Sequence, residues 1–240
     1  MTHTGVRVPP ESRAMLERVG RCAQQRGAAA YAVGGCVRDW WLGRERSQDL
    51  DVTIEGSGIG VAEAAAQELG GTLTVHRQFG TATVALPGGA RVDIATARQE
   101  TYAKPAAYPA VTAGALREDL FRRDFTINAM AVALASDRFG ALIDPFGGEA
   151  DLRQRLLRVL HARSFLDDPS RILRGVRFLQ RFGLRWEPHT ERRLHEAVSA
   201  GALGWLNPGR FQRELEYMTG EPDPRACLRC LAELLDRAKR

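Results

Sequence analysis

Asp49 and Asp51 flank a single leucine at the start of a short β-like run, Leu50–Glu55. In a strand, residues i and i+2 point to one face, so the spacing predicts two carboxylates presented side by side to a divalent ion. Phosphoryl transfer uses such a pair, because magnesium held there bridges triphosphate oxygens and activates an incoming hydroxyl. Ten residues before Asp49 the segment Gly34-Gly35-Cys36-Val37-Arg38-Asp39 ends. A Gly-Gly turn leading into a helix lets backbone N–H groups approach phosphate without interference from a Cβ. Asp93 is the one acid in the apolar run Ala90–Ala95. Acids are seldom buried without a partner; a metal or a reacting hydroxyl would supply one, and so would an ion pair with Arg91 or Arg98. Taken singly each signal is weak, since exposed strand carboxylates and Gly-Gly turns are common.

Three further clusters follow. In Asp119-Leu120-Phe121-Arg122-Arg123-Asp124-Phe125-Thr126-Ile127-Asn128-Ala129-Met130-Ala131, Asp124 is expected to cap a helix over Phe125–Ala135, and Arg122 to face a nucleotide. The turn-rich Asp144-Pro145-Phe146-Gly147-Gly148 is expected to shape the fold rather than react. In Asp167-Asp168-Pro169-Ser170-Arg171-Ile172-Leu173-Arg174-Gly175-Val176-Arg177, Asp168 and Pro169 read as a cap and a first-turn proline. Arg171, Arg174 and Arg177 fall at i, i+3 and i+6 and share one side of that helix, while Ile172, Leu173, Val176 and Leu179 supply the buried side. Such a row reads either as a solvated basic face or as a reader of triphosphate and base.

These residues need a scaffold. Apolar spacing predicts a helix over Glu11–Arg26, then β-like runs at Ala30–Val33, Leu50–Glu55, Thr72–His76, Thr81–Leu86 and Ala90–Ala95, with a helix around Val61–Leu69. Pro87-Gly88-Gly89 joins two of the strands as an antiparallel hairpin. Residues 98–117 read as a long loop, and Ala141–Asp144 as a strand. Beyond His161 the pattern is helical, at Pro169–Phe182, Thr190–Ala200, Pro208–Met218 and Arg225–Arg237. The expected fold class is therefore α+β, with a small mixed sheet and flanking helices over residues 1–160 and an all-helical part over 161–240.

Composition narrows the partners. The net charge is +5 and the basic side chains are almost all arginine, with Lys104 and Lys239 the two lysines. Arginine offers a planar fork of donors to phosphate oxygens, although an arginine-rich genome composition produces the same excess. No apolar run approaches the ~18 residues of a membrane span, and the start of the chain is not signal-like, so no membrane partner and a cytoplasmic location are expected. Cys227 and Cys230 lack a second pair of ligands at zinc-site spacing and read as helical thiols.

Taken together and in this order, the motifs over residues 30–215 resemble the class II tRNA nucleotidyltransferase and bacterial poly(A) polymerase family of the polymerase-β-like superfamily. They are Gly-Gly-x-Val-Arg-Asp, Asp-x-Asp, Arg-Arg-Asp-Phe-Thr-Ile-Asn-Ala-Met-Ala, Asp-Pro-Phe-Gly-Gly and Asp-Asp-Pro-x-Arg-Ile-Leu-Arg. The resemblance implies a nucleotidyltransferase head followed by a helical neck. It implies Mg²⁺ on Asp49 and Asp51, and Asp93 as a third catalytic acid that serves as base for the primer 3′-hydroxyl. It places Gly34, Gly35, Arg38 and Arg122 on the incoming nucleotide. Asp168 and Arg171 match the pair that reads cytosine and adenine edges, with Arg174 and Arg177 in support. One departure is Asp167, where the family usually has glutamate. The implied reaction is template-independent transfer of CMP or AMP from CTP or ATP to an RNA 3′ end, a tRNA acceptor above all, with no DNA partner. Poly(A) addition and an inactive RNA- or nucleotide-binding module are the alternatives. Members of the family continue into further helical regions that grip tRNA.

Overall fold

In the computed structural model, residues 5–44 and 49–237 are described. They form two compact units. The first comprises residues up to Gln99, Val111–Arg123 and Ile127–Glu149; the second comprises Glu100–Ala110, Asp124–Thr126 and residues from Ala150 onward.

The first unit opens with helix α1 (Pro10–Gln24), whose proline sits in the first turn, where a missing N–H costs nothing. Leu16, Val19 and Ala23 form its fully buried stripe. Strand β1 (Ala29–Val33) leads through Gly34 into the short helix α2 (Gly35–Trp41), followed by β2 (Asp49–Glu55). Helix α3 (Gly58–Leu69) is capped by Ser57, whose side chain accepts from the Gly60 amide, and stops at the left-handed Gly70. Next come β3 (Thr72–His76), β4 (Thr81–Ala85) and β5 (Arg91–Thr96). The β4–β5 hairpin is antiparallel, as its Pro-Gly-Gly turn predicts, and Gly88 and Gly89 both take positive φ there. Residues 98–117 are more ordered than a loop: β6 (Arg98–Thr101) pairs with β7 (Ala110–Ala113), and α4 (Leu116–Phe121) follows.

The expected helix over Phe125–Ala135 is not formed. A single 3₁₀ turn, Thr126–Asn128, leads into β8 (Ala131–Ala133), which pairs with β1 and with β9 (Leu142–Ile143). Residues 130–134 are all at most 2% exposed. A segment buried on every side carries no periodicity that could separate strand from helix. Asp144 accepts from the amides of Gly148 and Glu149, capping the first turn of α5 (Gly148–Arg153), which fits the shaping role expected of this segment.

The resulting seven-stranded sheet runs β3-β4-β5-β2-β1-β8-β9. Its one parallel pairing, β2 with β5, places Asp49 opposite Arg91 and Asp51 opposite Asp93. On β2, Leu50, Val52 and Ile54 point into the core at 0–1% exposure, while Asp49, Asp51 and Thr53 share the other face.

The second unit is mainly helical, with β10 (Leu156–Leu157), α6 (Ser164–Asp167), α7 (Ser170–Phe182), β11 (Arg185–Trp186), α8 (Pro188–Ser199), α9 (Pro208–Thr219) and α10 (Pro224–Arg237). The two short strands pair in parallel. Phe125, Phe165, Phe178 and Trp186 form an aromatic cluster at centroid spacings of 5.9–6.2 Å. Gly175 of α7 lets Trp186 and Phe125 approach the helix backbone, where any Cβ would overlap the indole. No helix among the described residues is long and apolar enough to cross a membrane.

Candidate active site

The sheet register, more than sequence proximity, builds the acidic site of the first unit. Asp51 and Asp93 line one cavity of about 320 Å³ together with Val33, Thr81, Thr83, Arg122 and Arg123. Asp49 sits two residues before Asp51 on the same face and pairs with Arg91, Nε to Oδ1 2.9 Å. Arg91 Nε also lies 3.4 Å from Asp93 Oδ2, and Thr83 donates to Asp93 Oδ1 at 2.5 Å. Burial, together with the neighbouring Asp93 and Asp49 carboxylates, pushes the Asp51 carboxyl above the ordinary range, while Arg123 pulls the other way. Part of the side chain still reaches solvent.

Asp119, on α4, holds the basic wall of this cavity. Its side chain is fully buried and accepts from Arg122 Nε and Nη2 at 3.0 and 2.8 Å, from Arg123 Nη2 at 3.0 Å and from Thr53 Oγ1 at 3.1 Å. Burial alone would raise its carboxyl; the two guanidiniums more than offset this and hold it below the ordinary carboxylate range. The sequence reading gave Arg122 a role but none to Asp119, Arg123 or Thr83. The spacing of Asp119 to Arg122 and Arg123, i+3 and i+4 across the end of α4, was a visible signal for Asp119 and Arg123. Thr83 carried none, because only the β4–β5 register brings it opposite Asp93.

Gly34 precedes α2 with φ +78°, and a Cβ there would stand 2.7 Å from Arg123 Nη1. The turn thus needs glycine for its conformation and for the space that Arg123 fills. Gly35 opens α2, and Arg38 one turn on is 5% exposed, donating to Asn128 Oδ1 at 2.5 Å and Asp39 Oδ1 at 3.0 Å.

The remaining expected residues belong to the second unit. Asp168 Oδ1 accepts from the Ser170 amide and hydroxyl, and Oδ2 from Arg210 at 2.7 Å. Asp168 and Arg174 line a cavity of about 300 Å³ with Ser170, Arg210, Arg213, Glu214 and Tyr217. The arginine row is not a solvated face. Arg171 is 4% exposed and donates to Ser164 Oγ at 2.6 Å, and Arg177, 8% exposed, pairs with Glu221 at 3.1 Å. Arg174 pairs with Asp124 at 2.7 Å and Glu214 at 3.6 Å. Burial opposes its charge, but these two acids hold its pKa above the ordinary arginine value. Asp124 therefore serves as a counter-ion, and the helix over Phe125–Ala135 that it was expected to cap is not formed.

The donor set of the first unit is all oxygen, which suits a hard divalent cation. Among the described residues no three His, Cys, Asp or Glu side chains converge into a complete cage. Magnesium needs none, since it commonly takes one or two carboxylates and completes its shell with water and substrate phosphate. Burial first, and the neighbouring Asp93 and Asp49 carboxylates after it, disfavour the charged form of Asp51, and a cation bound there would oppose both.

Similarity to known proteins agrees with this geometry. An A-adding tRNA nucleotidyltransferase of Geobacter sulfurreducens is 44% identical over 217 residues, 90% of this chain and 24% of the relative. A CC-adding tRNA nucleotidyltransferase of Deinococcus radiodurans is 37% identical over 92% of this chain and 58% of the relative. An apo CCA-adding enzyme structure superposes with a TM-score of 0.90 at 42% identity, covering 97% of this chain and 55% of that one. The chain thus spans about a quarter to just over half the length of these proteins. The poly A polymerase head domain matches residues 30–158, more than half of the chain, and with the acid pair, its neighbouring Asp93 and the two-arginine wall in place, the chain belongs to that family of nucleotidyltransferases.

Proposed function

We propose that this protein transfers a nucleotide from ATP or CTP to the 3′ end of tRNA without a template, releasing pyrophosphate. The observation that carries the reading is the shared cavity in which Asp51 and Asp93 face Arg122 and Arg123. Acids for a cation and guanidiniums for a triphosphate are the two halves that such a reaction needs.

In this reading Asp49 and Asp51 hold magnesium, which when bound lowers the pKa of the incoming hydroxyl and neutralises charge on the leaving pyrophosphate. Asp93, oriented by Thr83, accepts the proton of the primer 3′-hydroxyl. Arg122 and Arg123 bind triphosphate oxygens, and Asp119 fixes their forks in place. Gly34, Gly35 and Arg38 shape the nucleotide site beside them. Asp168 and Arg171 read the base, one offering acceptors only and the other donors only, and Arg174 and Arg177 support the nucleotide site. The A-adding relative at 44% identity, against 37% for the CC-adding one, favours AMP as the nucleotide added. A poly(A) polymerase activity is the second reading, favoured by the head-domain match itself.

Incorporation of labelled ATP and CTP onto tRNA ending in CC, onto tRNA lacking CCA and onto an unstructured RNA tests the proposal. One AMP added to the CC-ending tRNA is the expected product. Long adenosine tails on the unstructured RNA would replace it with the second reading, and folded protein that incorporates nothing at millimolar magnesium would reject both.

A further inference from the structure

The face of the sheet that carries the acid pair is a square of four side chains. Asp49 and Asp51 form one edge on β2, and Arg91 and Asp93 form the opposite edge on β5, in parallel register. Three corners are carboxylates and the fourth is a guanidinium. Arg91 Nε reaches two acids at once, Asp49 at 2.9 Å and Asp93 at 3.4 Å. Its side chain is 52% exposed, so the contact is not imposed by burial. An exposed ion pair of this kind is weak and readily exchanged.

We infer that Arg91 is the resident counter-cation of the acid site, a positioning residue that keeps Asp49 and Asp93 together until a divalent ion competes it away. The inference rests on the proposed magnesium reading of Asp49 and Asp51. A guanidinium on Asp49 Oδ1 occupies an oxygen that the metal would use, and its charge repels the incoming cation. Metal alone must therefore displace Arg91 into solvent. Metal arriving with a triphosphate brings an anionic partner for it, so the two enter more readily together than in succession. The same contact limits repulsion among the three neighbouring carboxylates.

The test is Mn²⁺ binding to the full chain without nucleotide, followed by electron paramagnetic resonance, for the wild type, Arg91→Ala, Arg91→Lys and Asp51→Asn. Circular dichroism checks that each variant is folded. Arg91→Ala is expected to bind Mn²⁺ roughly tenfold to thirtyfold more tightly, the effect of removing one unit charge about 4 Å from a divalent ion in a largely solvated, partly salt-screened site. Arg91→Lys, which keeps the charge, is expected to stay near wild type. ATP should tighten Mn²⁺ binding by a larger factor in the wild type than in Arg91→Ala. Mn²⁺ binding that is lost in Asp51→Asn but unchanged or weaker in Arg91→Ala overturns the inference and leaves the metal site standing. Mn²⁺ binding that is indifferent to Asp51→Asn in every form overturns the metal reading, and this inference with it.

Discussion

The buried carboxylate of Asp119 accepts from Arg123 Nη2 at 3.0 Å, four residues along the chain, and so fixes one wall of the acidic cavity from within the protein. The same carboxylate holds Arg122, and Thr53 donates to it from the strand that carries Asp49 and Asp51.

Replacing this acid should cost both stability and substrate binding. Asp119→Asn leaves two guanidiniums without their counter-charge, and breaking a buried pair in this way costs about 3 kcal/mol. Urea denaturation should show a lower midpoint with an unchanged slope. Steady-state kinetics on the folded variant should show a raised KM for the nucleoside triphosphate, because both forks lose their orientation. An unchanged midpoint and KM together would remove Asp119 from the site.

Acid should act through the same group. Its folded-state pKa is depressed below the ordinary value of 3.8, so its stabilising effect is fully present above that value and is lost as pH falls through the lower folded-state value. The stability difference between wild type and Asp119→Asn should therefore be constant at neutral pH and shrink below about pH 4. A difference that grows on acidification would contradict the ion-pair assignment.

Asp51→Ala should abolish transfer while leaving the fold intact. The side chain is exposed and contributes little packing, whereas a metal ligand supplies several kcal/mol of transition-state stabilisation, on the order of three decades in rate. Single-turnover incorporation beside a thermal melt separates the two effects; a melt shifted as far as that of a core variant would mean that the residue is structural.

In the second unit, Gly175→Ala should destabilise by about 1–3 kcal/mol, the usual cost of forcing atoms into a packed core. The new methyl group meets the Trp186 indole and the Phe125 ring. Tryptophan fluorescence during unfolding reads the change directly, and a melting temperature equal to wild type would show that the aromatic cluster is loosely packed.

The sequence by itself determined the acid pair, the Gly-Gly turn, the hairpin at Pro87-Gly88-Gly89 and the amphipathic helices of the second unit. Each depends on spacing within a single element: period two for Asp49 and Asp51, period 3.6 for Ile172, Leu173, Val176 and Leu179. Tertiary structure alone decided the rest. Ala131–Ala133 became a strand because β1 and β9 enclose it, and a wholly buried segment has no polar face to reveal its period. Arg171 and Arg177 became buried and paired, where their spacing would equally suit a solvated face, because Ser164 comes from α6 and Glu221 from the turn between α9 and α10. An ion pair of Arg91 with Asp93 was legible two residues apart on one strand, but Thr83 reached Asp93 and Arg91 reached Asp49 only through strand register, which depends on how β2, β4 and β5 align. Local periodicity is written in the order of the residues, whereas the partner of a buried charge is fixed only when distant segments pack.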